Sequence, residues 1–385
     1  PAHATTCVKP VRDIHTMQAP PPTTVLRGHR SEVTSVRFAP WADARGQPTL
    51  LSGSGDGELR AWSLRTHRSV VTLAAHSGKA LIGIHALGGG RIITQGRDGF
   101  VRIWDLERSG GGGGGSGHCG GGGGSTPLLE HNASCLSFCQ AVPAPSAAPG
   151  VAHDGVPPLP PLVALPSEDA TEVSLVDLRQ QPAAEAARLL PIATRERAGM
   201  LMCLHFLGEH DLLAGWEDGT LQRFDLRAPG RAVGCAPLHS EPLLCVDAGP
   251  RAKAAVTGAA DCHLCVVPLQ AAAAAGAAFG EPSRAPIPPT NEGSGSGGIA
   301  AVRVRPDGKI AASGGWDRRV RLWQWRRMKP LAILRHHTAT VNAVDFSACS
   351  SWLASGSADQ TVALWEELYS AASGAGGERT NAMRG

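Results

Sequence analysis

One pattern returns along this chain at a nearly fixed interval. The stretches LLSGSGDGELRAWSL (50–64) and LASGSADQTVALWEE (353–367) are almost superimposable. IITQGRDGFVRIWDL (92–106), IAASGGWDRRVRLWQW (310–325) and LLAGWEDGTLQRFDL (212–226) repeat it, the last with Phe224 where the others carry Trp. AAVTGAADCHLCVVPL (254–269) is a weaker copy. The shared aspartates fall at 56, 98, 218, 261, 317 and 359, and three of their five intervals are 42 or 43 residues. The interval from 98 to 218 contains a glycine tract and a Pro/Ala-rich stretch. With these set aside it holds about two periods, which places a degenerate copy near LVALPSEDATEVSLVDL (162–178) and brings the total to seven. A unit this short cannot bury an apolar face alone, so its copies must stack on one another.

Within each copy the alternation in LRAW, VRIW and VALW, bounded by Asp-Gly or Asp-Gln, reads as strand, turn, strand. A His-containing element precedes several copies: GHRSEV (28–33), AHSGKA (75–80), LHSEPL (238–243) and HHTATV (336–341). A period of 40–45 residues with these marks reads as the WD40 repeat, four strands to a blade. The expected fold is all-β: a seven-bladed WD40 β-propeller with low-complexity loop insertions. The last copy lacks a convincing fourth strand, while TTVLRG (23–28) is a strand without strands before it. Pairing the two closes the ring and removes exposed edges.

In the best copies a Ser or Thr stands four residues before the Asp and a Trp six after it. The sets are His29, Ser52, Asp56 and Trp62; His76, Thr94, Asp98 and Trp104; and His337, Ser355, Asp359 and Trp365, with Ser313, Asp317 and Trp323 lacking the His. Ser, His and Asp together suggest hydrolysis. A nucleophile is needed once, however, and this group recurs about four times. It therefore reads as a structural tetrad in which buried polar groups satisfy one another. No catalytic, cofactor-binding or metal-ligating residue is expected. Cys262 and Cys265 form a lone CxxC without a second pair, and no glycine run is followed by GK[ST].

The remaining composition bounds the function. Lys and Arg number 36 against 33 Asp and Glu, a balance that does not point to nucleic acid. The first residues, PAHATTCVKPVRDIHTM, have no apolar core of a signal peptide, and no run is long and apolar enough to cross a membrane. An intracellular protein of cytoplasm or nucleus is expected. The chain divides into a flexible segment (1–22), the propeller (23–369) and a disordered tail (370–385), with Gly-rich (109–125), Pro/Ala-rich (141–161) and Ala/Gly/Pro-rich (270–298) inserts. Arg318, Arg319, Arg321, Arg326, Arg327, Lys329 and Arg335 crowd one blade. A solvated edge is the first reading, an acidic protein partner the second and nucleic acid the third.

Beyond the generic repeat, the chain resembles the WD-repeat family of guanine nucleotide-binding protein subunit beta-like and fungal ASTRA-associated proteins. The resemblance is carried by APPPTTVLRG (19–28), the copies at 50–64 and 94–106, GMLMCLHF (199–206) with LLAGWEDG (212–219), and PTNEG (289–293). GIAAVRVRPDGKIAASGGWDRRVRLWQWRRMKPLAIL (298–334) is its most discriminating stretch. It implies a non-enzymatic scaffold linked to assembly and stability of phosphatidylinositol-3-kinase-related kinases, or to a chromatin-associated ASTRA-type complex. Other adaptor roles, as ubiquitin-ligase receptor or chromatin reader, stay open. Partners are then other proteins, with no small-molecule substrate and no membrane, and the chain is a monomer outside its complex. Residues just before the turn aspartates, Trp316, Arg97 and Glu217, are the candidate contacts.

Overall fold

A computed structural model describes residues 20–42, 48–106, 126–135, 137–145, 160, 162–180, 187–189, 198–227, 230, 232–250, 253–270, 278–287, 297–366 and 368. The Gly-rich stretch 109–125, the tail 370–385, residues 1–19 and parts of 141–161 and 270–298 lie outside these residues.

Seven four-stranded antiparallel sheets form the blades of a propeller. Blades 1 to 6 span 33–74, 81–132, 142–189, 201–237, 243–286 and 299–335, each with its strands side by side in sequence order. Blade 7 takes three strands from 341–366 and its outermost from Thr24–Arg27. There Thr24 lies opposite Leu364 and Arg27 opposite Thr361. The Thr23 amide donates to Leu364 O at 2.7 Å, and the Thr23 hydroxyl accepts from the Glu366 amide at 3.1 Å. The two ends of the ring are thus held by a ladder that no covalent bond supplies.

The apolar core is seven wedges, one between each pair of neighbouring blades. Trp104 packs with Leu51 and Leu59 between blades 1 and 2. Trp323 packs with Val256 and Leu264 between blades 5 and 6, and Trp365 with Ile310 and Leu322 between blades 6 and 7. At the seam, Trp62 and Leu26 pack against Ala354 and Leu364. The tryptophans therefore join blades rather than fill them. Trp325 is only half-buried and rests on Gly249 of the preceding blade, where a Cβ would come within 2.7 Å of its ring.

In most blades the residue after the turn aspartate is left-handed. Gly57, Gly99 and Gly219 take φ of 83°, 83° and 81° there, and a Cβ on Gly57 would lie 2.1 Å from His76 O. Blades 6 and 7 place Arg318 (φ 69°) and Gln360 (φ 68°) in the same role. The degenerate third blade forms from a hairpin, Val163–Pro166 with Val173–Val176, flanked by short strands Val142–Pro143 and Ala187–Leu189.

Candidate functional site

The recurring Ser, Thr and His side chains are sealed inside. Blade 2 holds an unbroken chain: His76 Nδ1 meets Asp98 at 2.9 Å, its Nε2 meets Thr94 Oγ1 at 2.9 Å, and Trp104 Nε1 donates to that oxygen at 2.8 Å. In blade 7, His337 links Asp359 at 2.9 Å to Ser355 at 2.7 Å. Trp365 departs from the expected tetrad: its indole N–H has no partner, and packing alone holds the ring. Blade 6 has no His in the chain. Arg321 instead forks onto Asp317 at 3.1 and 2.5 Å, while Trp323 donates to Ser313 at 2.9 Å.

Blade 1 corrects a second expectation. His29 bonds Ser52 at 2.6 Å, and Trp62 donates to Ser52 at 2.7 Å, but Asp56 is not in the chain. Ser54 and the Glu58 amide hold the Asp56 carboxylate within its own turn at 2.6 and 3.4 Å. Glu58 Oε1 lies 3.3 Å from His29 Nδ1 in its stead. The spacing agrees, since 23 residues separate His29 from Ser52 where 18 separate His76 from Thr94. Blade 5 supplies a triad that the sequence reading missed: His239 joins Asp261 at 3.0 Å and Thr257 at 2.8 Å. Its signal was the same separation of 22 residues between His and Asp as in blades 2 and 7.

Burial dictates the charge states. It pulls His29 down to about 4, and lowers His76, His239 and His337 against the pull of their carboxylates. The hydroxyls of Ser52, Thr94, Thr257, Ser313 and Ser355 belong to residues with at most 2% exposure, so no substrate reaches them. This arrangement orients strands; it has no access for chemistry.

A central channel of about 560 Å³ runs between the innermost strands. Its wall carries an ionisable side chain from six of the seven blades at one equivalent register position: Arg37, His85, His205, Asp247, Arg303 and Asp345. Four alternate in sign. Arg303 lies 3.5 Å from Asp247 and 3.6 Å from Asp345, and Arg37 lies 3.5 Å from Asp345. The carboxylates also accept backbone amides from the next blade, Val304 onto Asp247 at 2.6 Å and Phe38 onto Asp345 at 2.7 Å. Burial raises Asp345 and brings Arg37 down to about 10. These charges stitch blades 5, 6, 7 and 1 across the seam.

The channel opens at the end that carries the aspartate turns. Arg97 and Trp316 line its mouth, as does Phe138. Phe138 is 66% exposed and the Arg97 guanidinium sits 4.2 Å over its ring. Trp316 is 38% exposed, its indole resting on Gly298, where a Cβ would fall 2.5 Å from the ring. Glu217 is exposed on the same end and accepts the Met200 amide at 3.0 Å, beside a Met200 side chain that is 44% exposed. Three of the six exposed large hydrophobics of the described residues, Phe138, Met200 and Trp316, thus sit on this one end. This concentration makes that end the candidate interaction surface. Phe138 and Met200 escaped the sequence reading because they lie in connections before blades 3 and 4, outside the repeated motif.

The basic cluster of blade 6 is not one patch. Arg321 is buried on Asp317, and Arg318 and Arg319 belong to the turn at the mouth. Arg326, Arg327 and Lys329 lie at the opposite end. The CxxC likewise separates, with Cys265 buried in its strand and Cys262 half-buried before it. The eight described cysteines are free thiols, and the described residues contain no group of His, Cys, Asp and Glu that could hold a metal ion. No helix of the described residues is long and apolar enough to cross a membrane.

Fold and repeat chemistry together define a WD-repeat propeller protein. The model of the WD domain, G-beta repeat, matches residues 20–63, 289–324 and 328–366. The chain is 32% identical to the guanine nucleotide-binding protein subunit beta-like protein 1 of Mus musculus, over 91% of this chain and 97% of that protein. It is 27% identical to the ASTRA-associated protein 1 of Verticillium alfalfae, over 93% and 95%, and 26% identical to that of Schizosaccharomyces pombe, over 92% and 100%. Among solved structures, the β-propeller domain of Cps50 (Swd1) of Myceliophteria thermophila superimposes with a TM-score of 0.67 at 15% identity, over 90% of this chain and 99% of that one. This chain belongs to the family of guanine nucleotide-binding protein subunit beta-like protein 1 and ASTRA-associated protein 1.

Proposed function

We propose that this chain is a non-enzymatic adaptor of the cytoplasm or nucleus. It would hold components that assemble and stabilise phosphatidylinositol-3-kinase-related kinases, or subunits of an ASTRA-type chromatin complex. The observation that carries an adaptor reading is the mouth of the channel. There a rigid ring of turns displays Trp316, Phe138 under Arg97, and Met200, while the repeated Ser, Thr and His side chains are buried. The names of the ASTRA-associated relatives support complex membership.

The test is capture from cells with wild type and Trp316→Ala. The substitution removes a ring that is 38% exposed and seated on Gly298, so the melting temperature should move little. Recovery of kinase-maturation co-chaperone or ASTRA-type subunits should fall about tenfold or more, the loss typical of a central aromatic anchor. Recovery of ubiquitin-ligase subunits in their place would transfer the protein to a different adaptor class. Unchanged recovery of the expected subunits would remove the mouth from the account.

A further inference from the structure

The end of the propeller opposite the mouth has a different character. Three segments adjoin there: residues 249, 250 and 253 of blade 5, 305–309 of blade 6, and the turn 325–328 of blade 6. Trp325 rests on Gly249, and its amide donates to Lys309 O at 3.0 Å. A Cβ on Gly308 would lie 2.9 Å from Pro250. These contacts bring five exposed cations, Lys253, Lys309, Arg326, Arg327 and Lys329, onto one surface.

Carboxylates elsewhere neutralise exposed arginines. Arg179 forks onto Asp177 and Arg227 onto Asp225, each with its shortest contact at 2.7 Å. None of the five cations is in an ion pair with a carboxylate of the described residues. The acidic side chain that the 305–309 connection itself carries, Asp307, is engaged by Arg305 at 2.9 and 2.8 Å. Like charges held on adjoining rigid turns repel one another, and an anionic ligand relieves that repulsion.

We propose that this end of blades 5 and 6 docks an Asp/Glu-rich segment of a partner protein. Two observations favour polypeptide over nucleic acid. The basic surface covers two blades of an otherwise balanced chain rather than forming a long stripe. Its aromatic residue, Trp325, is half-buried with its ring packed on Gly249 rather than projecting as a stacking platform. The proposal rests on the adaptor reading and extends it: an aromatic surface at one end and a basic one at the other let a single rigid ring hold two segments at once.

Fluorescence anisotropy with a fluorescein-labelled peptide of alternating Asp and Glu tests it on the full chain. The peptide should bind, and its affinity should fall with added salt. Arg326→Glu/Arg327→Glu should weaken binding about tenfold or more, as charge reversal does to an electrostatic interface. Lys253→Glu/Lys309→Glu reads the same surface through the neighbouring connections and should act in the same direction. Both pairs are exposed, and an unchanged thermal melt certifies the fold. Trp316→Ala should leave the peptide bound, so failure here and failure at the mouth are separate results. Absence of peptide binding, indifference to both charge reversals, or tighter binding of duplex DNA than of the peptide would each overturn the proposal.

Discussion

Blades 2 and 3 are neighbours built by opposite means. Blade 2 has an unbroken polar chain from Asp98 through His76 and Thr94 to Trp104. The described residues of blade 3 include no His and no Trp; its aspartate, Asp169, accepts from Ser167 within one turn at 2.7 Å. Its sheet nevertheless pairs in register, Val163 opposite Val176 and Pro166 opposite Val173. What holds it is apolar area on both sides. Val163, Leu165 and Val176 pack on Ile93 and Ile103 of blade 2, while Val173 and Leu175 pack with Trp216 and Phe224 of blade 4. A blade inside a closed ring has two neighbours to fix it, so the tetrad is a reinforcement and not a condition of folding. Closure of the ring is the condition.

The largest effect should come from opening the ring. Without residues 1–27, blade 7 loses Thr24–Arg27, and the seam wedge loses Leu26. The seam then keeps only its contacts between the remaining strands, such as Arg37 with Asp345, and the confinement that sustains blade 3 is weakened. The single cooperative thermal transition should disappear from a calorimetric scan. A truncated chain with the wild-type transition would sink the idea that closure outranks the tetrads.

Breaking the tetrad of blade 2 comes next. His76→Ala leaves the Asp98 carboxylate and the Thr94 hydroxyl without their imidazole, at a cost of about 3 kcal/mol. Ser167→Ala in blade 3 should cost less than about 1 kcal/mol, since Asp169 also accepts the Thr171 amide at 3.1 Å. Urea denaturation of the two variants measures the contrast directly. Equal losses would show that blade 3 depends on its polar turn as much as blade 2 does on its tetrad.

Acidification separates the blades in another way. Burial holds His29, His76, His205, His239 and His337 below 6.5, with His29 at about 4. Their lowered folded values mean that the unfolded chain binds more protons as pH falls through 6.5. Stability therefore declines from about pH 7 downward and goes on declining until about pH 4, where His29 protonates in the folded state. Melting temperatures between pH 7 and pH 4 should fall monotonically. Native-state hydrogen exchange should show blades 1, 2, 5 and 7 weakening more than blade 3, which has no tetrad His among its described residues.

The smallest effect lies in the turns. Gln360→Gly relieves a left-handed residue at φ 68° in the position that Gly57 and Gly99 fill elsewhere. It should stabilise blade 7 by about 1 kcal/mol or less, read as a small upward shift in melting temperature.

The repeat and its ring closure were legible because a period of 42 or 43 residues survives the inserts and because TTVLRG reads as a strand that belongs to no copy of the repeat. Less was legible where a role passed to another residue. Glu58 stands against His29 in place of Asp56, and Arg321 faces Asp317 in a blade whose chain has no His. The charged channel wall was written in the sequence as apolar–ionisable–apolar triplets, VRF (36–38), IHA (84–86), LHF (204–206), VDA (246–248), VRV (302–304) and VDF (344–346). Read singly these are ordinary strand alternations; only equivalent register in adjoining sheets shows that they meet.

The sequence by itself determined the unit and its number: alternation makes the strands, Asp with a left-handed residue makes the turns, and a short unit with two apolar faces must stack until the ring closes. Only the tertiary structure decided which surfaces are free. Trp62, Trp104, Trp323 and Trp365 are buried between blades, whereas Trp316 faces solvent over Gly298. Seven cations that are close in sequence separate onto two ends of the ring, with Arg321 buried. Exposure and proximity depend on what the neighbouring blade places beside a residue, and that neighbour's contribution comes from some 40 residues away, one repeat along the chain.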